Sequence, residues 1–276
     1  MAFIQVNFVS KTLFRTVPVN VILPTDKLMG EDSNPSRTFK TLYLLHGLLG
    51  NYTDWVNHTR IQEWAEERNL AVIMPSGDNS FYVDNPVSKN GEFIGQELLD
   101  ATRAMFPLSH RREDTFIAGL SMGGFGALRN GLVYHRNFGY IAGLSSAVCL
   151  FEEPLDAEGR NIGSEDAAFG DMKEAMKTDK NPRIAFQKLL KEKEQDSSVE
   201  LPRIYLACGT EDFLISSNRA YRKMFEDAGV DLVYEEGPGM HNWDFWNEYM
   251  LHILDWLPLD QASSGINSGN VKSVAE

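Results

Sequence analysis

Near the start of the chain, apolar residues recur at every second position in "FIQVNFV" and "VPVNVIL". A period of two predicts strands with one face toward a core, and their closeness predicts an antiparallel pair. Further on, the pattern changes to short unbroken apolar runs: "TLYLLHG", "LAVIMPSG", "DTFIAGLS", "YIAGLSSA" and "RIYLACGT". Each ends in Gly, Ser, Thr or Ala and reads as a strand buried on both faces, as in a parallel sheet covered by helices. "DLVYEE" supplies a last, more polar strand.

Between these runs the apolar period lengthens to that of a helix. "EFIGQELLDATRAMF" puts Ile94, Leu98, Ala101 and Met105 on one stripe, and "NRAYRKMFEDAG" does the same with Tyr221, Phe225 and Ala228 before a stop at Gly229. Strands alternating with helices predict an α/β domain with a mostly parallel central sheet flanked by helices. One such domain occupies residues 1–259. The rhythm breaks over 151–200, which is charged and interrupted and reads as a partly helical, cap-like insertion. Residues 260–276 are small and polar and read as a disordered tail.

Charge narrows the partners. Against 26 basic residues stand 39 acidic ones, a formal net charge of −13, and no basic run stands out. A nucleic-acid surface built on phosphate contacts, or attraction to an anionic membrane, is therefore not expected. No apolar run approaches the length of a membrane span, and the first residues lack the pattern of a secretory signal. Cys149 and Cys208 make no metal-ligand spacing and read as buried thiols, so a cytoplasmic setting is expected, with a homo-oligomer compatible with the pattern. Neither HExxH nor a paired Cys/His cluster argues for a metal, no GxxxxGK[ST] is present, and "GGFGALRN" fails GxGxxG at its last glycine.

The chemistry sits in "IAGLSMGGFGAL". Gly119, Ser121 and Gly123 fill GxSxG between an apolar strand and a helix start, the setting in which a sharp turn raises a serine hydroxyl above the sheet edge. Such a serine needs a base, and a hydrolase of this type takes an acid and then a histidine from later in the chain. Three histidines lie beyond Ser121. His135 is too far along the nucleophile helix and His252 falls inside the amphipathic run "WNEYMLHILDWL"; His241, in the glycine-rich loop "EEGPGMHNWDFW", is the candidate base. Glu211 and Asp212, side by side after "RIYLACG", are both candidate acids, and Asp244 reads as a helix-start residue. By topology the oxyanion donors are the backbone N–H groups of Met122, after the nucleophile, and Leu48, after His46-Gly47. His46 itself reads as a shaper of that loop.

Taken together, "YLLHGLLGNYTDW", "IAGLSMGGFGAL", "ACGTEDFL" and "GMHNWDFWNEYM" resemble the esterase D-like branch of the α/β-hydrolases, most of all the tributyrin esterases of Gram-positive bacteria. The branch also holds S-formylglutathione hydrolases, feruloyl and acetylxylan esterases, and mycolyltransferases. The resemblance runs from about residue 1 to 258. It implies an α/β-hydrolase fold and hydrolysis of short-chain acyl esters, small molecules, without metal or organic cofactor. It also implies Ser121 as nucleophile, Asp212 rather than Glu211 as acid, and His241 as base. Trp55, after the oxyanion loop, and Trp243, beside the base, are candidate pocket residues. A non-catalytic scaffold is disfavoured because every candidate position is filled.

Overall fold

The computed structural model describes residues 1–25, 38–151 and 164–259. Eight strands form one sheet: β1 (Ala2–Ser10), β2 (Arg15–Leu23), β3 (Thr41–Leu45), β4 (Ala71–Pro75), β5 (Thr115–Leu120), β6 (Tyr140–Leu144), β7 (Arg203–Gly209) and β8 (Leu232–Gly237). Their order is β1-β2-β4-β3-β5-β6-β7-β8. β1 pairs antiparallel with β2 and β2 with β4, while β4, β3, β5, β6, β7 and β8 run parallel to one another. This is the α/β-hydrolase arrangement predicted from the sequence, including its antiparallel N-terminal pair.

The unbroken apolar runs arise from burial on both sides. Tyr43, Leu45, Ile117, Ile204 and Leu206 join one core, and their strand neighbours Leu42, Leu44, Phe116, Ala118, Tyr205 and Ala207 join the other. Because side chains alternate across a strand, two cores demand apolar residues at every position. β1 has no second core, and its burial alternates as its sequence does.

Flanking the sheet are α1 (Asp54–His58), α2 (Ile61–Glu67), α3 (Leu98–Met105), α4 (Met122–Val133), α5 (Ser164–Phe169), α6 (Met172–Ala175), α7 (Pro182–Gln195), α8 (Ile215–Asp227) and α9 (Trp243–Trp256). Trp64 of α2 and Trp246, Met250 and Leu254 of α9 seal one core; Phe125 and Leu128 of α4 lie in the other. The stripe expected to end at Met105 is displaced. A π turn over Phe93–Glu97, closed by Leu98 N–H on the Phe93 carbonyl, adds a residue to one turn and rotates the rest of the helix. Leu98, Leu99 and Thr102 are therefore buried, and Met105 is 42% exposed.

Of the insertion expected over 151–200, residues 152–163 lie outside the described residues, as does the tail 260–276. The described remainder packs beside α4. Buried Arg129 of α4 donates to the Asp179 carbonyl (3.0 Å) and to its carboxylate (3.2 Å). Phe169 meets Phe81, Phe125 and Phe151, with ring centroids 5.1, 5.7 and 5.2 Å away. Burying such a ring stabilises by about 1.5–3 kcal/mol.

Candidate active site

Ser121 stands between the end of β5 and the start of α4, with φ 53° and ψ −116°. A non-glycine residue in this region costs about 1–3 kcal/mol and persists only where its surroundings fix it. Here Ser121 N–H donates to the Leu144 carbonyl (2.9 Å), and its own carbonyl accepts from Phe125 and Ala147 N–H (each 3.0 Å). The flanking glycines serve proximity rather than backbone freedom. A Cβ on Gly123 would lie 2.6 Å from the His46 carbonyl oxygen and closer still to that of Leu45; one on Gly119 would strike the Gly123 carbonyl. Gly123→Ala is therefore expected to destabilise the protein by about 1–3 kcal/mol and to slow reaction of Ser121 with a fluorophosphonate probe. Thermal melts and labelling rates check both effects; unchanged labelling would contradict the close-approach argument.

Three distant segments converge on the serine. His241 Nε2 lies 2.9 Å from Ser121 Oγ, and His241 Nδ1 lies 2.9 Å from Asp212 Oδ2. An ionised carboxylate only accepts, so Nδ1 carries the hydrogen and Nε2 presents its lone pair to the serine hydroxyl. Asp212 is 2% exposed. Burial works to raise its pKa, but hydrogen bonds from His241, the Leu214 N–H and the Ser145 hydroxyl beside it hold the carboxyl below its ordinary value. Leu214 N–H reaches the other carboxylate oxygen at 2.9 Å. The imidazole is bracketed by Phe213 (centroids 4.8 Å apart) and the edge of Trp246 (4.9 Å).

Ser145 and Trp246 join the site without any mark in the sequence. Ser145 lies just past β6 at φ 45°, fully buried, and accepts the Trp246 indole N–H at 3.1 Å. Indole nitrogen only donates, so the Ser145 proton remains available to Asp212. A serine in "GLSSA" carries no sequence signal of this role.

The β3 loop forms the opposite wall. Gly50 N–H closes a turn on the Gly47 carbonyl (3.2 Å), with Leu49 at φ 64° and its N–H on Asn79 Oδ1 (2.8 Å). His46, as its position suggested, holds this loop: Nδ1 donates to the Gly47 carbonyl (2.7 Å) and Nε2 accepts Gly77 N–H (2.9 Å). Burial lowers its pKa, consistent with a neutral ring in that bridge. Leu48 and Met122 line the same cavity as Ser121. Met122 opens α4, so its N–H is among those a helix leaves without an internal partner, at the positive end of the helix dipole.

That cavity measures about 340 Å³ and is walled largely by apolar side chains, among them Phe81, Leu150, Phe213, Trp243 and Trp246. Trp243 lines it as expected by position. Trp55 does not: it is 1% exposed, gives its indole N–H to the Leu45 carbonyl (3.0 Å), and meets Trp243 edge-on from behind. Its burial in α1 leaves no surface for substrate. Cys149 differs in the other direction, being half-buried and facing the cavity, whereas Cys208 is buried. Asp244 is exposed on the first turn of α9, which Asn242 caps. His252 pairs with Glu235 (2.7 Å) and His135 lies against the Leu132 carbonyl (3.3 Å), neither at the cavity. Among the described residues, no group of three His, Cys, Asp or Glu side chains could hold a metal ion, and no helix is long and apolar enough to cross a membrane.

Sheet order, elbow and convergent loops define an α/β-hydrolase. The Esterase family model matches residues 10–257, and the chain belongs to that family, a carboxylic ester hydrolase. It is 42% identical to an acetyl esterase of Caldicellulosiruptor saccharolyticus over 93% of this chain and 98% of the relative. Among solved structures it resembles the fluorophosphonate-binding serine hydrolase F of Staphylococcus aureus (31% identity, TM-score 0.81). A further match is an S-formylglutathione hydrolase of the same organism (30%, 0.79); both cover 93% of this chain and 98% of the other.

Proposed function

We propose that the protein is a serine esterase of the tributyrin-esterase type, hydrolysing short-chain acyl esters through an acyl-enzyme on Ser121. One observation carries this reading: the Ser121–His241–Asp212 relay, with 2.9 Å at each step, opens into an apolar cavity of about 340 Å³. Ser121 Oγ attacks the ester carbonyl carbon as its proton passes to His241 Nε2, and Asp212 stabilises the resulting imidazolium. The oxyanion is held by the Leu48 and Met122 N–H groups, each donor worth roughly 3–4 kcal/mol in such sites. The C–O bond to the alcohol then breaks, and His241 gives the alcohol its proton. Water repeats the sequence on the acyl-enzyme, returning free acid and Ser121.

Trp243 joins the acyl wall in this scheme. Residues 1–259 act as one catalytic unit on small-molecule esters in the cytoplasm, with no cofactor. The test is a series of p-nitrophenyl esters from C2 to C8, with tributyrin and S-formylglutathione alongside. The 42% identity to an acetyl esterase supports a short acyl group, so kcat/KM is expected to be highest among the short acyl groups and to fall by C8. An optimum at C8 or beyond would overturn the short-chain reading. Negligible rates on every ester would overturn the esterase reading itself.

A further inference from the structure

The two neighbouring carboxylates after β7 point apart. Asp212 turns inward to the imidazole, and Glu211 turns outward to the backbone of the loop that carries it. Glu211 Oε2 accepts the Gly239 N–H at 2.6 Å, and Glu211 N–H in turn donates to the Gly239 carbonyl at 3.1 Å. One step earlier, Thr210 N–H donates to the Gly237 carbonyl at 2.9 Å. The contact is close enough that a Cβ on Gly209 would collide with the Gly239 carbonyl.

Gly239 needs to be glycine, since its φ is 150° and a Cβ there would lie 2.7 Å from the Phe245 ring. That requirement has a consequence for the base. "GPGMH" contains two glycines within the four residues before His241, and glycine loses more conformational freedom on ordering than any other residue. Such a loop, left to itself, samples positions for the imidazole other than the one between Ser121 and Asp212. The Gly239 N–H also holds the Glu211 carboxyl below its ordinary pKa, keeping it ionised as an acceptor.

We propose that Glu211 is a positioning residue for His241: by fixing the Gly239 amide it holds the base loop in register with Asp212 and Ser121. The inference rests on the esterase reading for its kinetic consequence and on the hydrogen bond alone for its structural one. Glu211 touches neither substrate nor the reacting atoms. Its effect is expected in kcat, because Glu211 itself does not line the cavity and what its loss would displace is the base.

Glu211→Ala and Glu211→Gln in the full chain test this. The Ala variant is expected to lower kcat between about 10- and 100-fold with KM nearly unchanged, the scale on which small misplacements of a reacting group act. The Gln variant, whose amide oxygen still accepts from Gly239, is expected to recover most of that loss. Independently of activity, the low-field proton resonance of His241 Nδ1–H should persist in wild type and Glu211→Gln and be lost or broadened in Glu211→Ala. A Glu211→Ala enzyme with unchanged kcat and resonance would overturn the proposal, and so would a Gln variant as impaired as Ala. If wild type hydrolysed no ester, the esterase reading would fall while the resonance comparison still judged Glu211.

Discussion

Ser121→Ala is expected to lower kcat on short acyl esters by a factor on the order of 10⁶ while leaving the fold intact, the loss seen when the nucleophile of a serine-histidine-acid site is removed. The substitution deletes one oxygen and its 2.9 Å contact with His241 Nε2. Backbone strain is unchanged, because alanine at φ 53° meets the same penalty as serine and the three hydrogen bonds that impose this conformation use backbone atoms alone. Circular dichroism and melting temperature should therefore stay close to wild type, and covalent labelling by a fluorophosphonate should vanish. Equal labelling of Ser121→Ala would place the nucleophile elsewhere.

Asp212→Asn should be nearly as damaging for a different reason. An asparagine fits the same volume, so the buried position stays filled. Its amide can donate to His241 Nδ1, which moves the ring hydrogen to Nε2 and leaves no lone pair facing the serine. In the trypsin-like site where that change has been made, kcat falls by about 10⁴. A comparable fall is expected here, measured as kcat at saturating ester, together with loss of the rapid first turnover that forms the acyl-enzyme. A loss below about tenfold would show that Asp212 does not set the tautomer, reopening the case for its neighbour Glu211.

The strands and the elbow are legible in the sequence because both rest on local rules. Two-sided burial writes itself as unbroken apolar runs, and the close approach of Gly119 and Gly123 to the chain writes itself as GxSxG. Other features depend on where distant segments meet. Trp55 and Trp243 both stand beside candidate site residues, yet only tertiary packing sends one indole N–H to the Leu45 carbonyl and leaves the other ring against the cavity. Adjacent carboxylates are equivalent by composition; the loop opposite them separates their tasks. Ser145 is an ordinary serine until β6 places it between Trp246 and Asp212. The π turn before α3 moves Met105 out of its expected stripe, because a helical period counted along the chain assumes that no turn is widened.

The segment Val148–Phe151 lies on the connection after β6, and it walls the cavity through Cys149 and Leu150. The proposed oxyanion donors, nucleophile, acid and base hang from the ends of β3, β5, β7 and β8 instead. Part of the cavity wall is thus written apart from the reacting residues, while Leu48, Phe213 and Trp243 share the lining from those residues' own loops. Descent can alter Cys149 and Leu150, and with them one wall of the cavity, without touching Ser121, Asp212 or His241.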